Sequence, residues 1–195
     1  DYIPFIEIEI YPKNQILTQI PEDIHSFIVT SKNSAKAIRD IELQGQFFVV
    51  GKSTAQELYG QDREITFISN YAEDLLERML ETDIKKYVFF KGSLSLNTLP
   101  DVLRKNDVEV VGIESYKTVL TPHKVEGTYD ALVFMSPSAV RSFTSMNEIP
   151  KETLIFTSGK TTARAVKEVG NYAVYYPEET TQESLLALIN ETIDA

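Results

Sequence analysis

One order of elements occurs twice in this chain. FIVTSKNSAKAI (27–38) followed by FFVVGKSTAQEL (47–58) is echoed by LVFMSPSAVRSF (132–143) followed by LIFTSGKTTARAV (154–166). Each unit reads as an apolar strand ending at a serine, Ser31 or Ser136, then a helix and a second apolar strand. GK, two hydroxyl residues and an alanine then open another helix. A unit repeated at this scale points to two halves of one architecture. A chain of 195 residues is long enough to give each half a core of its own.

The rest of the chain fits the same scheme. FIEIEI (5–10) alternates with period two, and SFIVT, QFFVV, EITFI, KYVFF, VEVVGI, YKTVL, DALVFM, TLIFT and YAVYY are short β-rich runs. Between them, Leu75, Leu76, Met79 and Leu80 share a helical face, as do Ala139, Val140 and Phe143, and Leu185, Leu186, Leu188 and Ile189. Regular alternation of strand and helix predicts an α/β protein with two similar domains, each a parallel sheet with helices on both faces. YPKN (11–14) and ESYKTVLTP (114–122) are the expected crossings between halves. They place residues 1–12 with 120–195 in one domain and residues 15–115 in the other.

The composition removes several kinds of chemistry. With no cysteine there is no disulfide, thiolate metal site or cysteine nucleophile. The two histidines, His25 and His123, lie in separate polar segments without ligand spacing, so no metal site is expected. A net charge of −10 argues against binding nucleic acid or an anionic membrane. No apolar run reaches the length of a membrane span, and DYIPFIEIEI is unlike a signal peptide, so a cytoplasmic protein is expected.

GKSTA (51–55) and GKTTA (159–163) look like the ends of nucleotide phosphate loops. Such a loop requires a second glycine five residues upstream, where this chain has Gln46 and Leu154 inside or at the start of an apolar strand. A nucleotide-dependent enzyme is excluded on that spacing. The glycine still permits a tight turn, and Ser53, Thr54, Thr161 and Thr162 place hydroxyls at helix starts, where amides and the dipole favour anions. With TSKNS and MSPSA there are four such corners, all at the carboxyl ends of strands. Lys52, Lys160, Lys32 and Arg141 stand close to them.

FIVTSKNSA, VVGKSTA, KGSLSLNTLPDVLRKNDVEVVGIESYKTV, ALVFMSPSAVRSF, SGKTTARAVKEVG and PEETTQESLLALI, in this order, resemble the uroporphyrinogen-III synthase family. The resemblance implies two α/β domains joined by a two-stranded connection, with the active site in a cleft between them. It implies a cofactor-free lyase reaction in which the linear tetrapyrrole hydroxymethylbilane loses water, inverts its terminal ring and closes as uroporphyrinogen III. A monomer is the default for a cleft enzyme of this size, and transient contact with hydroxymethylbilane synthase is the expected partnership. Tyr116 matches the family's cleft tyrosine, and a tyrosine can serve as the acid that assists departure of the hydroxyl. Thr54 and Thr162 match the cleft threonines, Ser31 and Ser136 the strand-end serines, and Thr181 the residue opening the last helix. Substrate binding is thus expected of Ser31, Thr54, Ser136, Thr161 and Thr162, with Lys52 and Lys160 offsetting charge.

Two departures stand out. No basic residue lies between Lys91 and Arg104, where many relatives have one, which leaves Ser93, Ser95 and amides for carboxylates there. The chain also begins at what resembles the family's second strand, so an unpaired sheet edge is expected in the first domain. A non-catalytic, two-lobed protein that closes on a small anion remains the alternative.

Overall fold

The computed structural model describes residues 1–59 and 63–193. Contacts divide the chain into two units, Ile8–Thr118 and Asp1–Glu7 with Val119–Ala195.

The first of these contains most of β1 (Ile6–Ile10), then α1 (Lys13–Leu17), β2 (Ser26–Val29), α2 (Lys32–Ile38), β3 (Gln46–Val50), α3 (Lys52–Gln56), β4 (Glu64–Ser69), α4 (Ala72–Leu80), β5 (Lys86–Gly92), α5 (Thr98–Lys105) and most of β6 (Glu109–Leu120). Its sheet runs β1-β6-β5-β2-β3-β4, and β6, β5, β2, β3 and β4 pair in parallel. Successive side chains of a strand point to opposite faces. Phe27, Val29, Phe47, Val49, Val88 and Phe90 therefore pack with Ile16, Ile38 and Leu58 on one face. Ile28, Phe48, Tyr87 and Phe89 pack with Leu75, Met79, Leu99 and Leu103 on the other. Runs buried on both sides explain why these strands read as continuous apolar stretches rather than alternating ones.

The second unit contains β7 (Ala131–Phe134), α6 (Pro137–Thr144), β8 (Leu154–Thr157), α7 (Lys160–Val169), β9 (Val174–Tyr175) and α8 (Gln182–Ile193). Its three strands are parallel in the order β7-β8-β9 and repeat the β2-β3-β4 arrangement. Phe134, Val140, Phe143, Ile155, Ala165 and Val166 form its core with Phe5. Among the described residues, β7 is an edge strand.

Two expectations are corrected. YPKN is not a crossing: Pro12, with φ −57°, stands at the cap of α1, where its fixed φ suits a helix entry, and Lys13 and Asn14 are helical. The division falls inside the strands, so residues 8–12 go with the unit that contains β2. β1 and β6 run antiparallel: Tyr11 N–H donates to Ser115 O and Thr121 N–H to Phe5 O. VEVVGI and YKTVL, read as two strands, form the single 12-residue strand β6. Lys91 pairs with Glu114 and Gly92 with Tyr116, so Ser115 is an extra, bulged residue that lets the strand continue with its facing changed.

Candidate functional site

The order of the larger sheet reverses at β2. From β2 the chain moves outward to β3 and β4, then returns to the other side of β2 for β5 and β6. In open α/β sheets the carboxyl ends of the two strands at such a reversal frame the binding crevice. Here those ends carry Ser31, just after β2, and Gly92–Ser95, at and after the end of β5.

Tyr116 reaches this point from β6. It is 9% exposed, and its ring lies against Gly92, where an added β-carbon would fall 2.6 Å from Tyr116 Cε2 and 2.7 Å from Oη. Only the absent side chain at position 92 lets the phenol cross the end of β5 towards β2. There, Ser31 Oγ donates to Tyr116 Oη at 3.1 Å. The same Oγ caps α2 by accepting from Asn33 N–H at 3.1 Å and Ser34 N–H at 3.4 Å. Beneath them, the buried Ser115 hydroxyl reaches Ser34 Oγ at 3.1 Å and the Lys91 carbonyl at 3.2 Å, which holds the bulge. Ser93 Oγ accepts from Thr118 N–H and Ser95 Oγ from Gly92 N–H, so the turn after β5 is fastened while both hydroxyls keep a proton to offer.

At the corner after β3, Gly51 has φ +89°, a conformation that favours glycine, and Thr54 is 4% exposed beside it. Lys52 is exposed. Lys32 is partly exposed and pairs with Glu57 at 3.4 Å, between α2 and the end of α3. α2 and α3 have seven and five residues, so their dipoles are short and the corners depend on hydroxyls and local amides instead.

In the other unit, Ser136 caps α6 by accepting from Ala139 N–H at 3.2 Å, with Pro137 in the first turn. Thr162 is buried, and its Oγ1 lies 3.4 Å from Ser158 Oγ, which also reaches the Met135 carbonyl at 3.0 Å. Lys160 and Thr161 are exposed at the start of α7. Thr181 caps α8, accepting from Ser184 N–H at 3.1 Å. No group of three or more potential metal ligands occurs among the described residues. His123 is stacked on Phe5, with Nδ1 3.0 Å from the Thr121 carbonyl.

Within the larger unit the structure thus joins Ser31 to Tyr116 and adds Gly92, Ser34 and Ser115, which sequence reasoning missed; in the other unit it places Ser158 beside Thr162. The glycine ending an apolar strand in KYVFFKG was the available signal for Gly92. A fastened array of hydroxyls with one phenol suits binding oxyanions and supplying a proton.

Comparison with known proteins points one way. A family model described as uroporphyrinogen-III synthase HemD matches residues 2–187. A uroporphyrinogen-III synthase of Chlorobaculum parvum is 26% identical, over 77% of this chain and 68% of its own length. Uroporphyrinogen-III synthetase from Helicobacter pylori has a TM-score of 0.68 at 18% identity, covering 96% of this chain and 91% of that one. A mutant uroporphyrinogen III synthase from Thermus thermophilus has a TM-score of 0.69 at 16% identity, covering 98% and 86%. At those identities the solved structures speak for the two-domain α/β fold alone. The match over residues 2–187 carries the assignment, and this chain belongs to the uroporphyrinogen-III synthase family.

Proposed function

We propose that this chain cyclises hydroxymethylbilane to uroporphyrinogen III, with loss of water and inversion of the terminal ring, and needs neither a cofactor nor a metal ion. Tyr116 is the general acid for the departing hydroxyl. Thr54, Ser136, Thr161 and Thr162 donate hydrogen bonds to substrate carboxylates, with Lys52 and Lys160 offsetting charge. The observation that carries this reading is the phenol of Tyr116 at the carboxyl end of β2, where the sheet order reverses, in a chain that matches the family almost throughout. Holding a flexible substrate with its ends together can lower the barrier by up to roughly 7–11 kcal/mol, so positioning is the larger part of the task. Proton transfer supplies the rest.

The test is the product isomer. Freshly generated hydroxymethylbilane is given to the protein, the products are oxidised, and the uroporphyrin isomers are separated. Isomer III in excess of the protein concentration is expected with and without a chelator. Isomer I alone, the spontaneous product, would leave a non-catalytic anion-binding protein as the better reading.

A further inference from the structure

We propose that Ser31 acts through Tyr116 rather than on the substrate: it fixes the direction of the phenol's proton and stays bound to the phenol oxygen as that proton leaves. The proposal rests on reading Tyr116 as the general acid.

The direction follows from the number of bonds Ser31 makes. A serine hydroxyl has two acceptor lone pairs and one proton. Both acceptor sites of Ser31 Oγ receive backbone N–H groups, from Asn33 and Ser34. It has no site left to accept from Tyr116, so its single proton goes to Tyr116 Oη. The phenol's own proton must then point elsewhere, and among the described residues no other group hydrogen-bonds to Oη. That proton turns about the Cζ–Oη bond, and the Ser31 proton already directed at Oη turns it away from Ser31.

This arrangement also serves the moment of transfer. The Tyr116 O–H bond breaks and its proton goes to the leaving hydroxyl oxygen of the substrate. The carbon–oxygen bond then breaks and water departs, leaving a cationic substrate and a phenolate. Ser31 is already donating to that phenolate oxygen, and two amides at the start of α2 polarise Ser31 in turn. The proton lost when the final ring closes returns to the phenolate, and the enzyme is restored. No oxidant, reductant or other co-reactant enters the balance.

Three substitutions separate the donor from the cap. Ser31→Thr keeps both. Ser31→Asp keeps the cap but offers an acceptor in place of the donor, and Ser31→Ala loses both. Turnover to isomer III is measured for each, with thermal unfolding as a check on folding, and Ser31→Asp is repeated in a Tyr116→Phe background. For Ser31→Asp and Ser31→Ala, kcat is expected to fall about 10- to 100-fold with KM little changed, the size of a hydrogen bond to a charged group. Ser31→Thr should stay close to wild type, and Ser31→Asp should add little once Tyr116 is Phe. A rise in KM at constant kcat, or an undiminished effect in the Phe background, overturns the proposal in favour of direct substrate binding. If Tyr116→Phe itself turns over normally, the reading of Tyr116 fails. If Tyr116→Phe is slow while every folded Ser31 variant is normal, only the positioning role fails.

Discussion

The ring of Tyr116 occupies the space that a side chain at Gly92 would fill, with Oη 2.7 Å from the position of the absent β-carbon. Gly92→Ala therefore forces one of the two to move, and the far end of the tyrosine side chain moves more easily than the end of a buried strand. The expected result is a folded protein, destabilised by about 1–3 kcal/mol, whose turnover falls as far as that of a variant lacking the phenol. Thermal unfolding and the isomer assay check the two halves of this prediction.

Arg63 holds the end of α2. Its Nη2 donates to the carbonyls of Ile38, Arg39 and Ile41, and the guanidinium lies over the Phe47 ring. Burial lowers its pKa from the usual arginine value, with Asp40 opposing that shift. Nε and Nη1 have no partner among the described residues, so part of the gain is offset. Arg63→Met leaves three carbonyls without their donor and is expected to cost about 1–3 kcal/mol. Denaturant unfolding measures the loss, and activity per folded molecule should be unchanged.

Thr54 and Thr162 are both buried at the start of the helix that follows GK. Thr54→Val and Thr162→Val each replace one hydroxyl by a methyl group. If these hydroxyls hold carboxylates, KM rises about 2- to 10-fold in each variant while kcat changes less. Steady-state kinetics on each single variant decide this, and unchanged KM in both would remove them from substrate binding.

Lys86 Nζ lies 2.6 Å from Asp23 Oδ2 and 3.8 Å from Glu109 Oε2, all at the amino-terminal side of the larger sheet. The hydrogen bond and charge of Lys86 hold the Asp23 carboxyl below its ordinary value. Its contribution to stability is therefore present above the unfolded carboxyl value, near pH 4, and is lost as the pH falls through the lower folded value. Both groups are exposed, so the effect is small and screened by salt. Wild type and Lys86→Met should differ modestly at neutral pH and converge in acid or high salt. Unfolding curves across that range provide the check.

The parts legible in the sequence were local ones. The alternation of apolar strands with helices marked the α/β class, and serines placed before helical runs marked the capped corners at Ser31 and Ser136. The pairing of Ser31 with Tyr116, 85 residues apart, was not legible. It depends on β5 and β6 adding to the far side of β2, and on a one-residue bulge at Ser115 that changes which way Tyr116 faces. The pairing of Lys32 with Glu57 was not legible either, because Glu57 lies at the end of the next helix. Arg63 gave no sign of its role, since the carbonyls it holds lie more than twenty residues earlier, at and just after the end of α2.

The most direct measurement of the central claim is the rate of isomer III formation by Tyr116→Phe, with circular dichroism confirming the fold. Removing only the phenol oxygen leaves the ring packed on Gly92 and frees the Ser31 hydroxyl. The account predicts a fall in kcat of about 100-fold or more, with unfolding near that of wild type and spontaneous isomer I increasing in proportion. Formation of isomer III at the wild-type rate would contradict it.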